Sequence, residues 1–126
     1  MIKGLEGILI GSPKASKLAK FYREVVGLIP GEVMEIGDKG EEGYEFKLGK
    51  GPGLYIIDHS GVKGKSREPE RVMFNLEVDD LEKEVKRLKK AGARVVADMY
   101  HVQDYGYIAT FADTDGNYFQ LVKTRA

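Results

Sequence analysis

The chain has no cysteine, no tryptophan, only four prolines and two histidines, and no excess of either charge, with 20 Lys plus Arg against 20 Asp plus Glu in 126 residues. Each shortage excludes something. Without cysteine there is no disulfide framework, no thiolate metal centre and no cysteine nucleophile. A balanced charge provides no field to gather nucleic acid or an anionic membrane surface. The apolar run within Met1–Ser12 is short and is broken by Gly4, Glu6 and Gly7, so neither a signal peptide nor a membrane span is expected, and the cytoplasm is the expected setting. Amides are scarce as well: Asn75, Asn117, Gln103 and Gln120 are the only four, a shortage common in heat-adapted chains. The length is that of one domain, enough to bury roughly two thirds of the unfolded surface.

The strongest local pattern lies near the C-terminus. Tyr107–Phe111 and Tyr118–Val122 are β-prone runs flanking Asp113-Thr114-Asp115-Gly116-Asn117, where Asp-Gly supplies the positive φ of a tight hairpin. Period-two alternation along the second run puts Phe119 and Leu121 on one face and Tyr118, Gln120 and Val122 on the other, so one face packs a core while the other is free to line a site.

Upstream, Leu5–Ile10 reads as a strand, with Ser12-Pro13 as a helix start. Leu18, Phe21, Tyr22 and Val25 form the apolar stripe of a helix that Gly27 ends. Three short β-prone runs follow at 33–36, 44–48 and 54–57, separated by glycine-rich turns. Residues 59–70 are almost devoid of apolar side chains and read as an exposed linker. The pattern then restarts. Residues 72–78 form a strand, Asp79 with Glu82 forms a capping-box-like start, and Leu81, Val85 and Leu88 give a helical stripe reaching Gly92. Glu82 and Lys86 are spaced as an i, i+4 pair. Residues 94–99 form the next strand, ahead of the closing hairpin.

The two halves superpose at an offset of 65 residues, which brings Gly27-Leu28 onto Gly92-Ala93 and Leu54-Tyr55-Ile56 onto Phe119-Gln120-Leu121. The expectation is an α+β fold of two tandem βαβββ modules, with module one at about 1–58, the linker at about 59–70 and module two at about 71–126. The alternative is one α+β sheet with two helices and no internal symmetry. Lys63, Lys65, Arg67 and Arg71, and the lysines and arginines of the second helix, are interleaved with Glu68, Glu70, Glu82 and Glu84. They read as a solvated face, and no nucleic-acid partner is expected.

Three ordered stretches carry a family resemblance. Leu18–Leu28, ending Phe21-Tyr22-Arg23-Glu24-Val25-Val26-Gly27-Leu28, resembles the "FY…LGL" helix end of the vicinal oxygen chelate superfamily of glyoxalases, bleomycin resistance proteins and extradiol dioxygenases. Leu76-Glu77-Val78-Asp79-Asp80-Leu81 resembles its second strand-to-helix junction, and Asp113–Leu121 resembles its closing D-P-D-G-N-x-x-E-L motif. The resemblance covers nearly the whole chain and implies paired modules forming a cup-shaped mixed sheet with the helices on its outer face. It also implies where a metal would be held in metal-using members, which place His on the first strand and Glu on the last strand of each module. Those positions correspond here to Gly7, Met73 (within one residue), Tyr55 and Gln120. None of them carries the family's usual ligand. Gly has no side chain, Met and Tyr suit hard or borderline divalent ions poorly, and Gln offers at best a neutral oxygen. His59 and His101 fall at element edges or in loops, where a solvated imidazole is the ordinary reading. No metal and no other cofactor is expected.

Strand alternation then assigns Gly7, Leu9, Tyr55, Ile57, Met73, Asn75, Glu77, Ile108, Thr110, Tyr118 and Gln120 to the face away from the helices. Aliphatic and aromatic walls with a few placed polar groups suit a small-molecule pocket, so Leu9, Tyr55, Ile57, Met73, Asn75, Glu77, Thr110, Tyr118 and Gln120 are the candidate ligand-binding residues. The bland alternative is that this face packs on a neighbouring strand or a second subunit. Three functions are open: a metal-independent small-molecule-binding protein like the bleomycin resistance branch, a glyoxalase-like or other lyase- or isomerase-type enzyme with Glu77 as general acid or base or with an atypical metal site, and an assembly module. The first is preferred, and a small organic ligand and a homodimer are the expected partners.

Overall fold

The computed structural model of the protein describes residues 1–125 and divides into two compact units, Met1–Gly64 and the chain from Lys65 onward. The first contains β1 (Gly7–Ser12), α1 (Ala15–Phe21), β2 (Ile29–Glu35), β3 (Glu42–Lys47) and β4 (Gly53–Asp58). The second contains β5 (Phe74–Glu77), α2 (Leu81–Lys90), β6 (Arg94–Val102), β7 (Gly106–Ala112) and β8 (Tyr118–Thr124). Strand order is β1-β4-β3-β2 in one sheet and β5-β8-β7-β6 in the other. In each, the first pair is parallel and the remainder antiparallel. The chain is therefore α+β, two tandem βαβββ modules.

In module one the start of α1 is held from far along the chain. The expected Ser12-Pro13 cap gives way to Asp58, whose carboxylate accepts from the Ala15 N–H at 2.7 Å, while Ser12 Oγ accepts from the Lys14 N–H at 3.1 Å. Ser12 and Asp58 are register partners on β1 and β4, so pairing of the sheet creates the cap. The helix then widens over Tyr22–Val26, where the Gly27 N–H reaches the Tyr22 carbonyl at 3.0 Å in an i→i+5 closure. That extra residue per turn rotates the apolar stripe. Val26 is buried while Val25, the residue expected from a regular helix, is only half-buried.

In module two the N-cap is Asp80 rather than Asp79, and its carboxylate accepts from the Lys83 N–H at 3.1 Å. Leu81, Val85 and Leu88 are buried as the stripe requires. The helix ion pair that forms is Glu84–Arg87 at 2.7 Å. Strand β5 is shorter than the 72–78 run because Val72 and Met73 lie ahead of the pairing, and β6 is longer, running through Met99 to Val102 before a second hairpin at 103–105. Gly27 and Gly92, superposed by the repeat, both adopt left-handed φ, 89° and 88°.

The helix-side core of module two is a row of phenylalanines. Phe74, Phe119 and Phe111 are register partners across β5, β8 and β7, with ring centroids 6.2 and 6.0 Å apart. Offset stacking at that spacing adds about 0.5–1.5 kcal/mol per pair beyond burial. One residue further along each strand, alternation turns the next row to the opposite, helix-free face.

Candidate functional site

That next row is Asn75, Gln120 and Thr110, again register partners on β5, β8 and β7. Their side chains bond in series. The Thr110 hydroxyl donates to Gln120 Oε1 at 2.8 Å, Gln120 Nε2 donates to Asn75 Oδ1 at 2.8 Å, and Asn75 Nδ2 donates to Tyr105 Oη at 3.0 Å. One end is buried and the other accessible: Thr110 is 5 % exposed and Gln120 9 %, whereas Asn75 is exposed and Tyr105 half-buried. Buried polar groups of this kind are tolerated because they are paired. Both polar atoms of the Gln120 amide are engaged.

The equivalent row of module one is Leu9, Tyr55 and Glu45, register partners on β1, β4 and β3. Here the aromatic ring lies flat on a shelf without side chains. Gly7 and Gly53 face each other two residues earlier on the same two strands, and a Cβ built on Gly7 would stand 2.6 Å from Tyr55 Cε2. The ring covers the place that a side chain at position 7 would occupy. Tyr55 donates its hydroxyl to Glu6 at 3.0 Å, which, ahead of a smaller desolvation effect, holds the phenol above its usual 10.0. Leu9 beside it is 62 % exposed, and Ile57, two residues along, is half-buried opposite Gly43.

Of the remaining sequence candidates, Glu77 is exposed at the end of β5 and its carboxylate accepts from the Thr124 hydroxyl. Tyr118 opens β8, half-buried and opposite Ala112, and Met73 lies just before β5, exposed. The register places Asn75, not Met73, across from Gln120. His59 follows β4 and its Nδ1 accepts from the Gly61 N–H at 3.0 Å. His101 lies within β6, its ring 4.9 Å from that of Tyr107. Among the described residues no three His, Cys, Asp or Glu side chains group in a way that would hold a metal ion. No helix among them is long and apolar enough to cross a membrane.

A model of the glyoxalase-like domain matches residues 7–122. The chain belongs to the glyoxalase-like domain family. That family lies within the vicinal oxygen chelate superfamily, and solved structures of low identity share the fold. TnmS3, an antibiotic-binding protein from Streptomyces sp. CB03234, is 21 % identical with a TM-score of 0.78 over 98 % of both chains. A glyoxylase/bleomycin resistance protein/dioxygenase domain from Frankia sp. EAN1pec is 18 % identical with a TM-score of 0.79, over 99 % of this chain and 100 % of its own. The fosfomycin resistance protein FosX from Listeria monocytogenes is 18 % identical with a TM-score of 0.72, over 99 % and 94 %. No curated protein sequence is significantly similar.

Within this glyoxalase-like chain, Tyr105 is the member of the polar row that sequence patterning missed. It belongs to the turn between β6 and β7, and nothing in strand alternation assigns a turn residue to a face. The one signal was Gln103-Asp104-Tyr105-Gly106 itself, a polar-then-glycine stretch between two β-prone runs. Three clefts, of about 390, 460 and 580 Å³, lie elsewhere, at the β6–β7 turn, at the start of α2 and beside Asp58. Their walls include exposed charged side chains such as Asp104, Arg125, Glu82, Lys39 and Lys63. None of the candidate residues lines them.

Proposed function

We propose that this chain is a metal-independent binding protein for a small, neutral, largely planar organic molecule, and that the helix-free sheet faces bind it: Thr110, Gln120, Asn75, Glu77, Tyr118 and Met73 on that of module two, and Leu9, Tyr55 and Ile57 on that of module one. The observation that carries the reading is Gln120. At the last-strand position where metal-using relatives carry a carboxylate, a buried amide has both polar atoms satisfied by neutral neighbours. A carboxylate there needs a cation to offset its desolvation, whereas an amide of the same shape does not. The first-strand partner position in module one is Gly7, covered by the Tyr55 ring, which supports the same conclusion because neither a donor atom nor space for one is present.

The fold shared with an antibiotic-binding protein and a fosfomycin resistance protein supports a small ligand of that kind. A catalytic role for Glu77 has less support, since its carboxylate is exposed and bonded to Thr124. The reading includes a cytoplasmic homodimer, checked by cell fractionation and by native mass at micromolar concentration. The deciding experiment is elemental analysis of protein purified without chelators, run beside calorimetric titration with a panel of planar aromatic and antibiotic compounds. Micromolar binding without stoichiometric metal is expected. One equivalent of zinc, nickel, iron or manganese, removed together with binding by a chelator, would overturn it.

A further inference from the structure

The hydrogen bonds through Gln120 have a direction, and that direction identifies which ligand atom the face reads. Gln120 Oε1 accepts from Thr110, so its Nε2 faces Asn75; Asn75 must then accept through Oδ1, and its Nδ2 faces Tyr105. Each amide has one accepting and one donating end, so the orientation of the first propagates to the last. The Tyr105 oxygen ends the series as an acceptor, which leaves its O–H to donate, and among the described residues no hydrogen bond takes that proton. Tyr105 and Asn75 are the accessible end of the row while Thr110 and Gln120 are its buried end. Glu77, two residues from Asn75 on the same strand face, places a negative charge beside that end.

We propose that the Tyr105 hydroxyl is the specificity-determining donor of the binding face, and that it selects a neutral ligand bearing a hydrogen-bond acceptor, such as a carbonyl or quinone oxygen, over both the acceptor-free hydrocarbon and an anionic analogue. The amide chain behind it acts as a positioning device. It holds the phenol oxygen as an acceptor toward the protein, so that the proton is turned outward. This rests on the reading of the face as a ligand site and adds the ligand chemistry to it.

The test compares two planar probes of nearly one shape on the intact protein, 9-fluorenone and fluorene, and adds the anionic fluorene-9-carboxylate, with affinity read by calorimetry or by quenching of tyrosine fluorescence. A neutral hydrogen bond contributes about 0.5–1.5 kcal/mol, so fluorenone is expected to bind about three- to tenfold more tightly than fluorene. The carboxylate is expected to bind most weakly. In Tyr105→Phe the fluorenone-to-fluorene ratio falls to about one. In Asn75→Leu the phenol loses its fixed orientation and the ratio falls part of the way. An unchanged ratio in Tyr105→Phe, or equal affinity for the two neutral probes in the wild type, overturns the inference and leaves the face standing as a binding site. Binding of neither probe, nor of any compound in the wider panel, overturns both.

Discussion

Gln120→Glu replaces the buried amide of the row with a carboxylate of the same shape, and so tests whether position 120 sits in a neutral, water-excluded setting. The residue is 9 % exposed and both of its hydrogen bonds are 2.8 Å long. In the variant one carboxylate oxygen keeps the Thr110 hydroxyl, but the other meets Asn75 Oδ1, acceptor against acceptor. The repulsion is relieved if the carboxyl is protonated and donates to Asn75 Oδ1, or if the Asn75 amide turns over, in which case its Oδ1 takes the Tyr105 proton. Desolvation with two neutral donors leaves the ionised form disfavoured; a rise of about two pKa units from the ordinary ~4.3 corresponds to about 2.7 kcal/mol. The sign follows from proton binding. With the folded-state pKa raised, the folded protein holds more protons than the unfolded chain between ~4.3 and the folded value, so stability falls as pH rises through that window. Urea unfolding of wild type and variant at pH 8 and pH 5 measures this. The deficit is expected to be about 2–3 kcal/mol at pH 8 and to shrink markedly at pH 5. Gln120→Leu serves as control, with a cost of about 1–3 kcal/mol from the orphaned, 5 % exposed Thr110 hydroxyl that is independent of pH. A Gln120→Glu deficit below about 0.5 kcal/mol, or one that does not change with pH, would mean that position 120 is solvated, since surface substitutions fall in that range.

Gly106→Ala is expected to destabilise by about 2–4 kcal/mol, because its φ is 139° and a Cβ would collide with the Lys123 carbonyl oxygen; thermal unfolding would fall by about 4 °C per kcal/mol for a chain of this size, and an unchanged midpoint would show that the β6–β7 turn relaxes freely. Asp113→Ala should cost about 2–4 kcal/mol, since this buried carboxylate accepts from the Asp115 and Asn117 backbone N–H groups and the Asn117 side chain; denaturant midpoints measure it, and a loss under about 0.5 kcal/mol would show the turn to be self-sufficient. Tyr55, held above 10.0 chiefly by donation to Glu6, is expected to titrate closer to its usual value in Glu6→Gln, and in Gly7→Ala, whose new methyl pushes the ring off its shelf. The Tyr55–Glu6 contact supports folding below the unfolded-state pKa of about 10 and is lost as pH rises through the higher folded value. Tyrosinate absorbance against pH reads the change, and coincident titrations in wild type and both variants would refute it.

The features legible in the sequence are those that a few consecutive residues determine for themselves. Asp115-Gly116 makes a turn wherever it lies, Leu81, Val85 and Leu88 share a helix face by spacing alone, and the 65-residue offset between Tyr55 and Gln120 survives because each module must bury one helix against its own sheet. Alternation also placed Asn75, Thr110 and Gln120 on one face. What alternation does not contain is register, because that depends on which distant residue stands opposite. Pairing of β5 with β8 puts Asn75, not Met73, across from Gln120, and it was β1 with β4 that brought Asp58 to the start of α1.

Side-chain direction is the other property reserved to the folded chain. The widened turn at Tyr22–Val26 exchanged Val25 for Val26 in the core, the Tyr55 ring fell across Gly7, and Tyr105 reached from a turn to the end of the amide row. Periodicity specifies a face to within a strand or a helix turn. A hydrogen bond needs its atoms within about 3 Å of each other and correctly oriented, and that accuracy arises only when segments separated by tens of residues have packed.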